Sequence, residues 1–159
     1  MIFVTVGTQK FQFNRLFKEL DNLCENNLIE KEIVAQAGYS TYQPTSFPIH
    51  KILPSKLMNK YFNEANFIIT HGGTSSIFQA LNLEKKVIVV PRLKKFNEHI
   101  DDHQIEICEI LESQEYITVV WEIENLHQKI LESKNKKFRV YKPTSKTLVN
   151  EIVKYAEEI

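Results

Sequence analysis

Cysteine, glycine and long apolar runs are scarce in this chain of 159 residues. The two cysteines, Cys24 and Cys108, lie far apart, which excludes a zinc-ribbon spacing or a disulfide framework. We therefore expect both to be buried free thiols. No run approaches the roughly 20 apolar residues that cross a bilayer. The start, MIFVTVGTQK, lacks the basic and apolar regions of a signal peptide. These absences predict a cytoplasmic protein.

Neither sign of charge predominates. Twenty Lys and Arg residues balance twenty Asp and Glu residues. A general nucleic-acid binder usually carries a basic excess, so we expect no nucleic-acid partner. Hydrophobic residues make up 43% of the chain and charged residues 25%, which is ordinary for a globular protein. The length suits one compact domain, and we expect residues 1–159 to form it.

Short apolar segments alternate with segments of helical periodicity along the whole chain. The patterns predict strands over residues 2–6, 33–37, 50–53, 67–70, 87–90 and 116–120. They predict helices over residues 14–26, 55–65, 74–83, 99–111, 123–131 and 145–157, with a loose basic stretch at 133–142. Continuously apolar strands are typical of a sheet covered on both faces. The predicted fold is therefore α/β: a single Rossmann-like, doubly wound, mainly parallel sheet.

Two of the four glycines are adjacent, in the segment FIITHGGTSSIFQAL at residues 67–81. One interpretation is structural, because glycine permits a sharp turn and Ser or Thr caps a helix. The other is chemical, because a phosphate can approach glycine backbone at a helix N-terminus. In that case the N–H and hydroxyl groups of Thr74, Ser75 and Ser76 would bind it beside His71. The segment alone favours neither interpretation, and it is neither a dinucleotide fingerprint nor a Walker loop.

Two other polar loops follow strands of the predicted sheet. Gly7, Thr8 and Gln9 come after the first strand, and residues 91–104 come after the fifth. Ligands of open parallel sheets bind beyond the carboxyl ends of the strands, so we expect these loops to converge on the glycine pair. Gln79 lies roughly 9 Å of helical rise beyond that pair, a distance that suits contact with the sugar of a nucleotide.

The loop after the fifth strand carries several candidates for sugar or metal binding. Asp102, His103 and Gln104 supply the acceptors and donors that a hydroxyl-rich sugar needs. His99 and His103 are four residues apart, a spacing that can bind a metal. No third ligand has motif-like spacing, and a metal-dependent hydrolase using His99, Asp102 and His103 is kept only as an alternative.

Two further features of these loops have simple interpretations. Arg92, Lys94 and Lys95 are interpreted as parts of a solvated loop. Phe11 and Phe13, which flank Gln12, are more commonly core or partner contacts, but they can also line a slot for a nucleotide base.

The segment THGGTSSIFQALNLEKKVIVVP, followed by NEHIDDHQ, resembles the donor-binding half of GT-B glycosyltransferases, the family 28 C-terminal domain. The start MIFVTVGTQKFQFNRL is similar to the small catalytic subunits of split bacterial capsular and exopolysaccharide glycosyltransferases. These are akin to the catalytic subunit of the eukaryotic enzyme that adds the second N-acetylglucosamine to dolichol-diphosphate. The three motifs occur in the expected order and cover nearly the whole chain.

The resemblance implies an inverting hexosyltransferase that uses a UDP-sugar and acts with a membrane-anchored partner subunit. The partner would supply the acceptor-binding half and recruit a lipid-linked saccharide acceptor, which places the chain peripherally at the inner face of the plasma membrane. Neither a cofactor nor a metal ion is expected, because the helix N-terminus would neutralise the diphosphate. The alternative is a non-catalytic nucleotide-sugar-binding or regulatory module.

The resemblance also implies a role for each motif residue. Asp102 and His103 are candidates for the general base, and Gln79 stands where relatives usually have Glu or Asp to bind ribose. The remaining donor-binding residues that it implies are Gly7, Thr8 and Gln9 facing the phosphates, His71, Gly72, Gly73, Thr74, Ser75 and Ser76 at the diphosphate, and Asp102, His103 and Gln104 at the sugar.

Overall fold

Six strands form one parallel sheet in the computed structural model, which describes residues 1–30 and 32–143. The strands are β1 (Ile2–Thr5), β2 (Ile33–Gln36), β3 (Ile49–His50), β4 (Phe67–Thr70), β5 (Lys86–Val89) and β6 (Thr118–Val119). The strand order is β3-β2-β1-β4-β5-β6, and every neighbouring pair is parallel. This arrangement confirms the predicted Rossmann-like sheet.

Helices cover both faces of the sheet. Buried hydrophobic residues form two clusters. In β1, Ile2 and Val4 belong to the first cluster and Phe3 belongs to the second, which explains why the apolar run of this strand is continuous. The helices are α1 (Asn14–Glu25), α2 (Ser55–Glu64), α3 (Thr74–Asn82), α4 (His103–Ser113) and α5 (Leu126–Asn135). The first cluster includes residues of α1 and α5, and the second includes residues of α2, α3 and α4.

Several predicted boundaries are wrong. The strand predicted at 50–53 is β3, which pairs only with the end of β2 and is therefore two residues long. The helix predicted from residue 99 begins at His103, because Asn97 adopts a left-handed conformation (φ 57°) and the Asp101 carboxylate accepts the His103 N–H at 3.0 Å. Helix α5 extends into the stretch that was predicted to be loose.

Other parts of the chain agree with the sequence interpretation or lie outside the structure. Within the described residues neither Cys24 nor Cys108 forms a disulfide, and both are buried, as predicted. The helix predicted at 145–157 lies outside the described residues. Within residues 1–30 and 32–143, none of the helices has both the length and the apolar character needed to span a bilayer.

Candidate functional site

A cavity of about 390 Å³ lies at the carboxyl edge of the sheet, between the loop after β1 and the start of α3. Its volume falls in the range typical of small-molecule sites, roughly 300–1,000 Å³. Thr5 and Gln36, at the ends of β1 and β2, contribute to its wall, as do the apolar side chains Leu53 and Met58. The predicted residues that line it are Gly7, Thr8, Gln9, His71, Gly73, Ser75, Ser76 and Gln79.

Helix α3 presents an uncapped N-terminus to this cavity. Gly73 is the N-cap residue, no side chain caps the helix, and its first turn holds no acidic residue. The first backbone bond of the helix runs from Ile77 N to Gly73 O at 3.1 Å. The N–H groups of Thr74, Ser75 and Ser76 therefore have no intrahelical acceptor, and the helix dipole places partial positive charge there. Such an end attracts an anion.

The imidazole of His71 explains why Gly73 has no side chain. A Cβ atom added at Gly73 would lie 2.3 Å from His71 Nε2, and one added at Gly7 would lie 2.8 Å from it. His71 is buried beside the two glycines, with 7% of the residue's surface exposed. Burial, together with the nearby positive charge of Arg92, lowers the pKa of His71 to about 3. The ring is therefore neutral near pH 7 and can act at the site only as a neutral hydrogen-bonding group.

Gly72 has a separate packing reason. A Cβ atom added there would lie 2.7 Å from Gln104 Cβ. The amide oxygen of the buried Gln104 accepts the Gly72 N–H at 2.9 Å and the Arg92 N–H at 3.0 Å. One side chain thus joins the loop after β4 to the loop after β5. The structural interpretation of the glycine pair is wrong in its detail, because neither glycine has a positive φ and no Ser or Thr side chain caps α3. Close packing against His71 and Gln104 requires the two glycines instead, and the helix N-terminus stays open for the chemical interpretation.

The structure places the three residues predicted to contact the sugar outside the cavity wall. Gln104 is held between the two loops by its bonds to backbone N–H groups. The Asp102 carboxylate accepts the Lys94 N–H at 2.9 Å, and His103 Nε2 lies 3.6 Å from Asp101 Oδ2. Contact of these residues with a donor sugar stays a prediction.

The histidines of the same loop meet a different aspartate from the one expected. His99 Nδ1 lies 2.9 Å from Asp101 Oδ1, and Asp101 also contacts His103. Asp102 is instead occupied by the backbone of Lys94. Across residues 1–30 and 32–143, no group of three or more His, Cys, Asp or Glu residues is arranged to hold a metal ion. The described residues thus offer no ligand set for the alternative of a metal-dependent hydrolase.

Sequence reasoning missed the buried polar residues that fix the loops. Arg92 is fully buried, so its interpretation as part of a solvated loop is wrong. Glu98 is 1% exposed and forms a two-pronged ion pair with Arg15, at 2.8 and 3.1 Å. The guanidinium of Arg92 lies 5.0 Å from the centre of the Phe13 ring, which is itself buried. No periodicity marks these residues, because all except Arg15 lie in irregular loops.

Sequence reasoning also missed Gln36, whose side chain is hydrogen-bonded to the loop after β1. Its amide nitrogen donates to Gly7 O at 3.0 Å and to Lys51 O at 2.9 Å. Its amide oxygen accepts the Thr5 hydroxyl at 2.8 Å. A polar residue that ends an otherwise apolar strand was the available signal.

The Phe11 ring does not form a base slot with Phe13, because it stacks on His99 at a centroid distance of 6.2 Å.

The amide of Gln79 is oriented by its neighbour on α2. Its nitrogen donates to Asn59 Oδ1 at 3.0 Å. Gln79 lines the cavity, and its amide oxygen has no hydrogen-bond partner among the described residues. This orientation leaves an acceptor for a hydroxyl group about two turns along α3 from the helix N-terminus.

A second depression of similar volume, about 390 Å³, lies at the opposite edge of the sheet, where Ile2, Phe67 and Lys86 begin their strands. Ligands of open parallel sheets bind beyond the carboxyl ends of the strands. The Lys86 ammonium in this depression is already occupied by the carbonyls that end α5. The cavity beside α3 is therefore the better candidate.

Comparison with known proteins agrees with the site. The family model described as glycosyltransferase family 28 C-terminal domain matches residues 1–159. The UDP-N-acetylglucosamine transferase subunit ALG13 of Candida albicans is 34% identical over 100 residues, which cover 63% of this chain and 32% of that protein. The chain thus spans about a third of the length of this relative. The match confirms the predicted resemblance to a GT-B donor-binding domain.

Solved structures share the fold. The solution structure of ALG13 superposes with a TM-score of 0.62 at 16% identity, covering 96% of this chain and 93% of that one. MurG of Acinetobacter baumannii gives a TM-score of 0.57 at 17% identity, covering 97% of this chain but 44% of that one. At these identities the likeness establishes the fold, and the coverage of MurG shows that the fold matches one half of a larger molecule.

Proposed function

Because the chain belongs to the glycosyltransferase family 28 C-terminal domain family, we propose that it binds a UDP-sugar and forms the donor half of an inverting glycosyltransferase. The observation that carries the proposal is the cavity in which the uncapped N-terminus of α3, the loop at Gly7 and the oriented amide of Gln79 meet. Each of these three features suits a different part of a nucleotide sugar.

The proposed position of the donor follows the polarity of the cavity wall. The diphosphate binds at the N–H groups of Ser75 and Ser76, where the helix dipole favours negative charge. The ribose hydroxyls donate to the amide oxygen of Gln79. The base packs on the apolar side chains Leu53 and Met58, which line the same cavity. The sugar then points out of the cavity, toward the acceptor.

The proposed chemistry is a single displacement at the anomeric carbon. A hydroxyl oxygen of the acceptor attacks that carbon from the face opposite the diphosphate, and the bond to the β-phosphate oxygen breaks. Negative charge develops on the departing UDP, where fixed N–H donors stabilise it in the transition state. The proton of the attacking hydroxyl passes to a general base.

The cavity wall contains no carboxylate, and its one histidine, His71, is buried and neutral. Asp102 and His103 lie outside the wall. These observations support a general base contributed by another chain. We include in the proposal a membrane-anchored partner subunit that supplies the acceptor-binding half and recruits a lipid-diphosphate-linked saccharide. The complex would act at the inner face of the plasma membrane in capsular or exopolysaccharide synthesis.

The same absence of a carboxylate from the wall favours a second candidate, a non-catalytic module that binds nucleotide sugars. The test compares release of UDP by this chain, by the product of a neighbouring gene, and by their mixture, with UDP-sugars and a lipid extract. We expect turnover only in the mixture. Binding of UDP without turnover in any mixture would support the non-catalytic module, and absence of UDP binding would contradict both candidates.

Replacing Gln79 by glutamate is expected to tighten UDP binding about three- to tenfold, because a hydrogen bond to a carboxylate is roughly twice as strong as one to an amide. Asn59 can rotate its amide to donate to the new carboxylate. Calorimetry with UDP and with uracil nucleotides that lack a ribose hydroxyl measures the effect. The gain should vanish with the deoxy nucleotide, and an equal gain with both would place the ribose elsewhere.

A further inference from the structure

The guanidinium of Arg92 is hydrogen-bonded to both ends of the loop that follows β1 and lines the cavity. Arg92 Nη2 donates to Val6 O at 2.6 Å, immediately before the loop at Gly7. Arg92 Nη1 donates to Phe11 O at 3.1 Å and lies 3.3 Å from Gln12 O, immediately after it. The chain between these carbonyls, residues 7–10, contains the three loop residues that line the cavity.

No carboxylate among residues 1–30 and 32–143 is hydrogen-bonded to the guanidinium of Arg92. Nη1 also donates to the backbone oxygen of Glu98 at 3.0 Å, but the Glu98 carboxylate pairs with Arg15. Burial lowers the pKa of Arg92 to about 10, so the group stays charged near pH 7. A buried charge is tolerated when its donors are hydrogen-bonded. Carbonyl oxygens accept from Nη1 and Nη2 of Arg92, whereas Nε is buried without a hydrogen-bond partner among the described residues. An ion pair with a carboxylate therefore does not explain why an arginine is buried at this position.

We propose that Arg92 is a positioning residue for donor binding: it closes the base of the loop at residues 7–10, so that Gly7, Thr8 and Gln9 face the diphosphate site. The inference rests on the proposed function for the identity of the ligand. Arg92 does not line the cavity, so it acts through the loop and not by contact with the donor.

The geometry explains why arginine is needed. The fork of a guanidinium places several N–H donors in one plane, and here they reach both sides of the loop and the segment at Glu98. The ammonium of a lysine is a compact point donor, so it cannot span the same carbonyls. An uncharged replacement that lacks these donors leaves the buried carbonyl of Val6 and the partly buried carbonyl of Phe11 without them. This loss is unfavourable because a polar group removed from water needs a hydrogen-bond partner.

The test uses Arg92→Lys, with Arg15→Lys as the matched control. Arg15 is also largely buried and bonds the same segment, but its hydrogen bonds go to Glu98 and Pro91.

Amide hydrogen exchange of Val6, Phe13 and Asn14, whose hydrogen-bonded N–H groups flank this loop, reports loop order without any ligand. Calorimetry measures UDP affinity. For Arg92→Lys we expect exchange of these amides and the Kd for UDP each to rise about tenfold or more. For Arg15→Lys we expect both to stay within about threefold.

Each outcome decides the inference. Unchanged loop exchange in Arg92→Lys, or faster exchange with unaltered UDP affinity, would overturn it. If the native chain binds no UDP, the proposed function fails, and loop exchange alone then decides whether Arg92 orders residues 7–10. If Arg92→Lys does not fold, Arg92→Gln, which keeps two N–H donors, replaces it. Failure of both to fold would show a role in stability alone and would also overturn the positioning role.

Discussion

Replacing Ser75 by aspartate is expected to weaken UDP binding by roughly a hundredfold or more, because two unit charges 4 Å apart repel by about 4 kcal/mol at an effective dielectric constant near 20. Ser75 lines the cavity in the first turn of α3. The new carboxylate would occupy the position where the diphosphate is proposed to bind. Calorimetric titration with UDP measures the loss.

The fold should tolerate this substitution. A carboxylate in the first turn of a helix stabilises it by about 0.3–1 kcal/mol, through the same dipole that attracts the ligand. Thermal unfolding of Ser75→Asp should therefore occur at the native temperature or slightly above it. Lost binding together with retained or increased stability distinguishes a ligand site from a merely structural helix cap.

Two controls separate charge from size and position. Ser75→Asn adds a side chain of the same shape without charge, so its loss of affinity should be much smaller. Thr74→Asp adds the same charge one residue earlier, at an exposed residue that is not part of the cavity wall. Equal losses in Ser75→Asp and Thr74→Asp would indicate a general electrostatic effect. Native affinity in Ser75→Asp would exclude the diphosphate from this helix end.

Replacing Gly73 by alanine is expected to lower the free energy of unfolding by about 1–3 kcal/mol, the usual cost of forcing extra volume into a packed site. The backbone of Gly73, with φ −78° and ψ 125°, is acceptable for any residue. The cost is therefore purely steric and comes from the contact of 2.3 Å with His71 Nε2. Denaturant unfolding of purified variants measures it.

A double-mutant cycle with His71→Ala tests that cause. Once the imidazole is gone, the methyl group of Gly73→Ala has space, so the cost of the second substitution should nearly disappear. Gly7→Ala provides a contrasting case, because φ at Gly7 is +75° and strain persists without the imidazole. Strict additivity of Gly73→Ala and His71→Ala would contradict the packing explanation for the glycine pair.

The sheet could be predicted from the sequence because its signal is local. Each of the four-residue strands contains three apolar residues, and each loop that follows one of them contains polar residues. The first four predicted helices begin or end within a few residues of the observed ones, except where loop chemistry intervenes. The start of α4 at His103 depends on the Asp101 carboxylate and on the backbone of Asn97, which no periodicity reports.

The candidate site was less predictable for a related reason. The residues of the motif at His71 are contiguous in sequence, so their convergence on one helix end follows from the strand-turn-helix pattern. Arg92 reaches Val6 across 86 positions, and Gln104 reaches Gly72 across 32. Such contacts depend on the packing of loops from different strands, which one sequence cannot reveal. A resemblance to a family supplies the ligand but not these supports.

The two outermost strands of the sheet, β3 and β6, are each only two residues long. An edge strand offers its unpaired backbone groups as a template for another chain, and shortening it removes most of that template. In the described part of the chain, neither border of the sheet presents a long ribbon for intermolecular pairing. The described sheet thus offers little backbone to a second strand, which disfavours accidental polymerisation by sheet extension. Its short borders favour association through side-chain surfaces over strand pairing.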